Sequence, residues 1–199
     1  MYTAVKVFVR KKLPVSHPKL EQIIVDFDQL EPHSQHFLVD DLYCCLGTTI
    51  KKAGSQAAFR RVDYDYPLKL AILAKQNGVR QFLLITAMGS NAKSSIFYSR
   101  VKGELEEAIK QLQLPAFHIF QPSLLLGKRE EFRLGESIAA AISPLLSSIL
   151  IGRLRKYKPV QAREVALAMY AAASTQTEGI TIYESDRIIE ISKQLELAG

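Results

Sequence analysis

Residues 81–120 read QFLLITAMGSNAKSSIFYSRVKGELEEAIKQLQLPAFHIF, and their pattern decides the fold. Residues 81–87 are a mostly apolar run closed by Gly89, as in a strand buried within a sheet. Residues 95–112 place Phe97, Val101, Leu105, Ala108 and Ile109 on one stripe while Glu104, Glu107 and Lys110 point elsewhere, which predicts an amphipathic helix. Residues 116–120 return to an apolar strand pattern that stops at Pro122. A strand, a long helix and a second strand form a βαβ unit, whose strands lie parallel.

The same alternation continues outward in both directions. Towards the start, residues 4–9 alternate Val5, Val7 and Val9 against Lys6 and Phe8, and residues 22–27 form a second strand pattern. Residues 41–46 are a near-continuous apolar run ending in Gly47, expected to be buried on both faces. Residues 65–76 carry helical spacing at Leu68, Ile72 and Leu73, stopped by Asn77 and Gly78. Towards the end, helices are predicted over 136–151 (interrupted near Pro144), 162–173 and 186–195, with a strand over 180–183. These elements predict a single α/β domain over residues 1–199, Rossmann-like and doubly wound, with a mostly parallel sheet and helices on both faces. Ligands of such sheets bind outside the carboxyl ends of the strands. That directs attention to Arg10, Asp26 and residues 45–49, 86–90 and 121–125. One part is out of pattern: a dinucleotide fold opens with a strand, a glycine-rich turn and a helix, and no Gly-x-Gly cluster occurs in these 199 residues.

Composition narrows the classes further. With 48% apolar and 23% charged residues the chain is ordinary for a globular protein. Its greasiest stretch, residues 138–152, is broken by Ser143, Pro144, Ser147 and Ser148 and falls short of the ~20 apolar residues of a membrane span. Residues 1–12 alternate apolar and basic side chains, unlike a signal peptide. Cys44 and Cys45 are adjacent and poorly placed to bridge each other, so a reducing, cytoplasmic setting without membrane attachment is expected. The net charge of +6 comes in small basic groups, at residues 10–12, 51–52, 60–61, 128–129 and 153–158. Such groups are mostly solvated surface; their functional alternative is an anionic ligand or an acidic protein partner. No zinc-finger spacing or RNA-recognition signature suggests nucleic acid. His33 and His36 lack a cluster of further ligands, so no metal is expected. His118 reads as a satisfied interior histidine, Cys44 and Cys45 as buried strand residues, and Asp63 and Asp65 as residues that cap or orient the following helix.

The chemistry centres on Tyr98 and Lys102, four residues apart and hence on one helix face. A phenol titrates near ~10, and a fixed ammonium nearby stabilises the phenolate, bringing proton transfer to a carbonyl within reach of neutral pH. Thr86 and Ser90, at the end of the preceding strand, are the candidate hydroxyls for holding a substrate oxygen.

The residues Cys44-Cys45-Leu46-Gly47-Thr48-Thr49, Lys52-Ala53-Gly54-Ser55, Phe59 and Val62-Asp63-Tyr64-Asp65-Tyr66 resemble the Tat-interacting-protein branch of atypical short-chain dehydrogenases/reductases. Val25-Asp26-Phe27, the Tyr98–Lys102–Gly103–Glu104 group and Gln121-Pro122-Ser123-Leu124-Leu125 extend the likeness in the same order, over roughly residues 4–185. The resemblance implies NADP(H) as cofactor. Arg10, with Lys11 beside it, would meet the adenosine 2′-phosphate, Asp26 and Phe27 the adenine side, and Leu46, Gly47 and Thr48 the ribose and phosphates. Pro122, Ser123 and Leu124 would flank the nicotinamide. Tyr98 and Lys102 would form the catalytic pair, with Lys102 also on the nicotinamide ribose. Two features depart from the family: its first strand and glycine-rich turn are not found, and Thr86-Ala87 stand where paired serines are common. The expected activity is NADP(H)-dependent oxidoreduction of an unknown small carbonyl or alcohol. A non-catalytic NADP(H)-binding regulatory or scaffold protein, or an inactive truncated form, is the alternative. Without the first strand, the strands at 4–9 and 41–46 are expected to close up and pair directly.

Overall fold

The computed structural model describes residues 2–126 and 152–198. The helix expected over 136–151 lies outside the described residues. In chain order the elements are β1 (Val5–Val9), β2 (Leu20–Ile24), a 3-10 helix (Glu31–Phe37), β3 (Asp41–Cys44), α1 (Ile50–Ala53), α2 (Gln56–Arg60), a π-helical turn (Arg61–Asp65) and α3 (Tyr66–Gln76). Then follow β4 (Gln81–Ile85), α4 (Phe97–Lys110), β5 (Ala116–Gln121), β6 (Leu125–Leu126), a 3-10 helix (Gly152–Tyr157), β7 (Val160–Gln161), α5 (Ala162–Thr175), β8 (Gly179–Glu184) and α6 (Ser185–Ala198).

Phe82, Leu83 and Leu84 of β4 have no solvent exposure, so both faces of that strand are covered. The central sheet runs β3-β4-β5-β8, every neighbour parallel. Successive side chains point to opposite faces, and each face has its own apolar layer. Phe82, Leu84, Phe117 and Ile119 pack with α3 and with Leu105 and Ile109 of α4. Leu83, Phe120 and Tyr183 pack with Val165, Ala168 and Met169 of α5 and with Ile188 of α6. The doubly wound α/β architecture read from the sequence is the one observed.

Three expectations need correction. First, β1 and β3 do not pair. β1 pairs with β2 in a separate parallel sheet, and the two sheets are joined through packing instead. Val25, Phe27, Leu30 and Phe37 lie in one cluster with Cys44, Phe82 and Leu84, and sliding β1–β2 towards β3 would pull them out of it. Second, β3 is an edge strand of its sheet, so Asp41, Leu42 and Tyr43 are only half-buried. Cys44 is buried but Cys45 is exposed. Burial pushes the Cys44 thiol up to about 12. Third, Asp63 does not cap a helix: it stands within the π turn, 1% exposed.

A polar chain, buried at Gln81, His118 and Tyr183, crosses the sheet. The Tyr2 hydroxyl donates to Asp41 Oδ2 at 2.6 Å, and Gln81 Nε2 donates to Asp41 Oδ1 at 2.8 Å. His118 Nε2 lies 3.3 Å from Gln81 Oε1, and His118 Nδ1 lies 3.1 Å from the Tyr183 hydroxyl. The histidine is fully buried and partnered on both nitrogens, as expected of an interior histidine.

The loop after β4 is laid tightly over the start of α4. Asn91 N–H donates to Ser99 O at 3.0 Å, and the Arg100 guanidinium donates to Ser94 O at 2.9 Å. The loop passes so close that a Cβ on Gly103 would fall 2.2 Å from the Ala92 nitrogen. Gly103→Ala must therefore displace backbone, at a cost of about 1–3 kcal/mol; an unchanged denaturant midpoint would contradict the close approach. The pH dependence of stability follows from His118. Burial lowers its pKa below the ordinary histidine value, so below about pH 6.5 the unfolded chain takes up a proton that the folded chain resists. Stability is thus fully present above that pH and falls as pH drops towards the folded-state value. Thermal melts of His118→Gln should lose that part of the acid dependence, and identical acid profiles for the two proteins would exclude His118 as its source.

Candidate functional site

Because β3, β4 and β5 are parallel neighbours, with Cys44 opposite Leu84 and Leu84 opposite Ile119, their carboxyl ends emerge side by side. The segments beyond them are joined by backbone hydrogen bonds: Thr86 N–H donates to Phe120 O at 2.9 Å and Met88 N–H to Pro122 O at 3.0 Å. Pro122, Ser123 and Leu124 are fixed from the other side. Ser123 N–H donates to Ser185 Oγ at 2.8 Å at the start of α6, and the Ser123 hydroxyl donates to Lys158 O.

The inner side of α4 carries three polar residues at four-residue steps: Tyr98, Lys102 and Glu106. Tyr98 is half-buried, its ring 5.6 Å from that of the buried Phe59. Lys102 is 4% exposed, and its ammonium lies 2.7 Å from Asp63 Oδ1. The line of approach is off the hydrogen-bonding direction, so Oδ1 accepts no well-directed bond, but at 2.7 Å between opposite charges the contact is an ion pair. Asp63 Oδ2 accepts from Thr48 N–H at 2.8 Å. A Cβ on Gly47 would come 3.4 Å from Asp63 Oδ1 and 3.9 Å from Lys102 Nζ. The structure therefore brings Lys102 to Gly47 and Thr48, at the carboxyl end of β3, with Leu46 half-buried just before them.

Thr86 and Ser90 are already engaged. The Thr86 hydroxyl donates to Glu106 Oε1 at 2.5 Å, and the Ser90 hydroxyl donates to Ala87 O at 2.7 Å. Gln121 Nε2 donates to both Glu106 oxygens at 3.0 Å. Burial pushes the Glu106 carboxyl above its ordinary range, while the Thr86 and Gln121 hydrogen bonds pull it back.

Arg10 and Lys11 are exposed at the end of β1. Asp26 is exposed beyond β2, which ends three residues earlier than its apolar pattern suggests; its Oδ1 accepts from Asp28 N–H at 3.0 Å. Phe27 is buried, 5.7 Å from the Tyr66 ring. Val9 is opposite Ile24, so Arg10 and Asp26 leave from the same end of the β1–β2 pair. Among the described residues no hydrogen bond joins this group to the Lys102 group. Nor do the described residues form a glycine-rich turn that could cradle a diphosphate. A hollow lined by Arg80, Gln81, Pro115, Ala116, Gln176 and Glu178 opens at the opposite end of the sheet, at the amino ends of β4, β5 and β8.

Sequence reading missed two of these residues. Glu106 follows Lys102 by one more helical step, so the spacing that singled out Tyr98 and Lys102 was also its signal. Asp63 had none, because the π turn that aims it inward is invisible to a 3.6-residue period.

No family model matches the chain. It is 38% identical to rat Protein HTATIP2 over 143 residues, covering 70% of this chain and 59% of that protein. It therefore spans well under two thirds of that relative's length. It is 30% identical over 196 residues to the mitochondrial Protein FMP52 of Eremothecium gossypii, covering 97% of this chain and 87% of that protein. With the mitochondrial Protein FMP52-2 of Scheffersomyces stipitis it shares 38% identity, covering 75% of this chain and 68% of that protein. Among solved structures, MoeE5 in complex with UDP-glucose and NAD superimposes with a TM-score of 0.65 at 11% identity, covering 96% of this chain and 73% of that one. A UDP-glucose 4-epimerase of Thermotoga maritima with UDP-glucose gives 0.66 at 12% identity, covering 98% and 74%. These structural likenesses establish the fold. The cytoplasmic setting expected from the cysteines is overturned, since several FMP52 relatives are named mitochondrial. Two reduced cysteines do not distinguish one reducing compartment from another.

The buried Thr86–Glu106 bond makes its own prediction. Thr86→Val keeps the shape but removes a donor from a buried carboxylate, costing about 1–3 kcal/mol. A denaturant midpoint equal to that of the unmodified protein would mean that the bond contributes nothing.

Proposed function

The chain belongs to the family of Protein HTATIP2 and Protein FMP52, atypical short-chain dehydrogenases/reductases, and on that premise we propose that its strand-end crevice takes a nicotinamide dinucleotide, NADP(H), for oxidoreduction of a small carbonyl or alcohol. The observation that carries this reading is a buried, charged Lys102 at the Gly47–Thr48 strand end, four residues after Tyr98 on one helix. Lys102 would hold the ribose, Leu46, Gly47 and Thr48 would line the ribose and phosphates, and Pro122, Ser123 and Leu124 would flank the nicotinamide. Arg10 and Lys11 would meet the 2′-phosphate, with Asp26 and Phe27 on the adenine side. A bound dinucleotide would supply hydride to a carbonyl or take it from an alcohol, and the Tyr98 hydroxyl would pass the proton to or from the substrate oxygen. Where Thr86 and Ser90 act, their hydroxyls must first be drawn from Glu106 and Ala87.

The fit is partial. The residues suit the two ends of a dinucleotide, but no segment among the described residues offers the amide cradle for its diphosphate. The chain alone should therefore bind NADPH weakly or not at all in a fluorescence titration. A fusion supplying a strand, glycine-rich turn and helix ahead of Met1 should restore binding. Tight binding by the unextended chain contradicts this part of the reading. In the extended protein Tyr98→Phe should abolish most turnover and leave NADPH affinity unchanged. Arg10→Ala should remove a preference for NADP over NAD of about tenfold, a modest figure because Arg10 is exposed. Equal affinity for both dinucleotides before mutation would sink the Arg10 assignment.

A second reading has its own support. Ala87 stands where the family resemblance expects a serine, and both nearby hydroxyls are committed to internal bonds. This favours a dinucleotide-binding regulatory protein that touches an acidic partner and turns nothing over. Binding in the extended protein, with no hydride transfer to any of a panel of small carbonyls, would select it.

A further inference from the structure

The π turn Arg61–Asp65 is an interruption that costs helical regularity, and such turns recur at functional sites. It sits between α2 and α3 and turns Asp63 inwards to 1% exposure. Both carboxylate oxygens then meet groups at the carboxyl end of β3 and on α4. Oδ2 takes the Thr48 amide at 2.8 Å, and Oδ1 stands 2.7 Å from the Lys102 ammonium. Gly47 stands beside them, where a Cβ would lie in ordinary contact with Asp63 Oδ1 at 3.4 Å. An ammonium on a four-carbon stem has many rotamers, and burying one without a counter-charge is costly.

We propose that Asp63 is the positioning residue of the site: it fixes the Lys102 ammonium against the Gly47–Thr48 strand end, so that cation and strand end form one rigid unit.

The inference rests on reading Lys102 as the cation that serves the ribose and Tyr98. It adds the group that holds Lys102 there. Among the side chains at this spot, the carboxylate is the one that meets both the ammonium and the strand-end amide. Its two tasks are separable. An asparagine at 63 still offers an oxygen to the Thr48 amide but no longer balances the ammonium.

The test needs neither cofactor nor turnover, so it can fail independently of the proposed activity. Lysine reactivity towards acetic anhydride at pH 8 is read residue by residue by mass spectrometry in the unmodified protein, Asp63→Asn and Asp63→Glu. Lys69, on α3 and paired with Glu31 at 2.8 Å, and Lys110, paired with Glu107 at 2.7 Å, serve as internal references. Asp63→Asn should raise labelling of Lys102 at least tenfold, leave Lys69 and Lys110 unchanged, and be largely reversed in Asp63→Glu. Equal rises at all three lysines would indicate general opening, and an unchanged Lys102 would indicate that Asp63 serves only the amide; either result overturns the proposal. Thermal melting supplies a check in case Asp63→Asn folds poorly. The double variant Asp63→Asn/Lys102→Met should melt above Asp63→Asn alone, since the stranded charge is gone. Additive losses in the two single variants would also overturn it.

Discussion

Burying an ammonium next to a strand end is the constraint around which this molecule is arranged. Lys102 has almost no access to water, so its charge must be balanced from within, and Asp63 does so from a turn that departs from α-helical spacing. That contact links three parts of the chain that are distant in sequence: the end of β3, the turn ahead of α3, and α4. Asp63 also takes the Thr48 amide, so the same carboxylate that holds the cation holds the strand end it faces. A buried ion pair contributes little net stability against an apolar replacement. Here it stands at the carboxyl ends of parallel strands, where such folds bind ligands.

The fold was legible in the sequence wherever hydrophobic periodicity ran unbroken. β4, α4 and β5 fall where residues 81–120 placed them, because a strand shielded on both faces and an amphipathic helix leave unambiguous patterns. α5 and α6 were legible as amphipathic helices, and β8 from its short β-branched run, although Ile180 and Ile182 are exposed. The register of β2 was less so: its apolar pattern runs on through Val25 and Phe27, which are buried after the strand has ended. Periodicity reports burial, and only indirectly hydrogen bonding. The edge position of β3 was not legible either, since a Leu-Tyr-Cys-Cys-Leu run does not reveal how many neighbours its strand will find.

The site was legible in part. Tyr98 and Lys102 could be placed on one face from their spacing alone, and the rule for parallel sheets singled out the segments at the strand carboxyl ends. What could not be read was the state of the hydroxyls. Thr86 sits where a substrate-facing hydroxyl was expected, yet its proton is given to Glu106, a carboxylate eight residues past Tyr98. The expected closure of β1 onto β3 failed because Phe27, Leu30 and Phe37 anchor the smaller sheet from the side. Edge hydrogen bonds alone did not decide that arrangement.

The account stands or falls on whether the carboxyl ends of β3, β4 and β5 are where a dinucleotide meets the protein. Amide hydrogen exchange with and without NADPH at concentrations high enough to occupy a weak site tests this directly. The account predicts slowed exchange concentrated in residues 45–49, 86–90 and 122–125. Protection centred instead on the hollow around Arg80 and Glu178, at the amino ends of the strands, would contradict it.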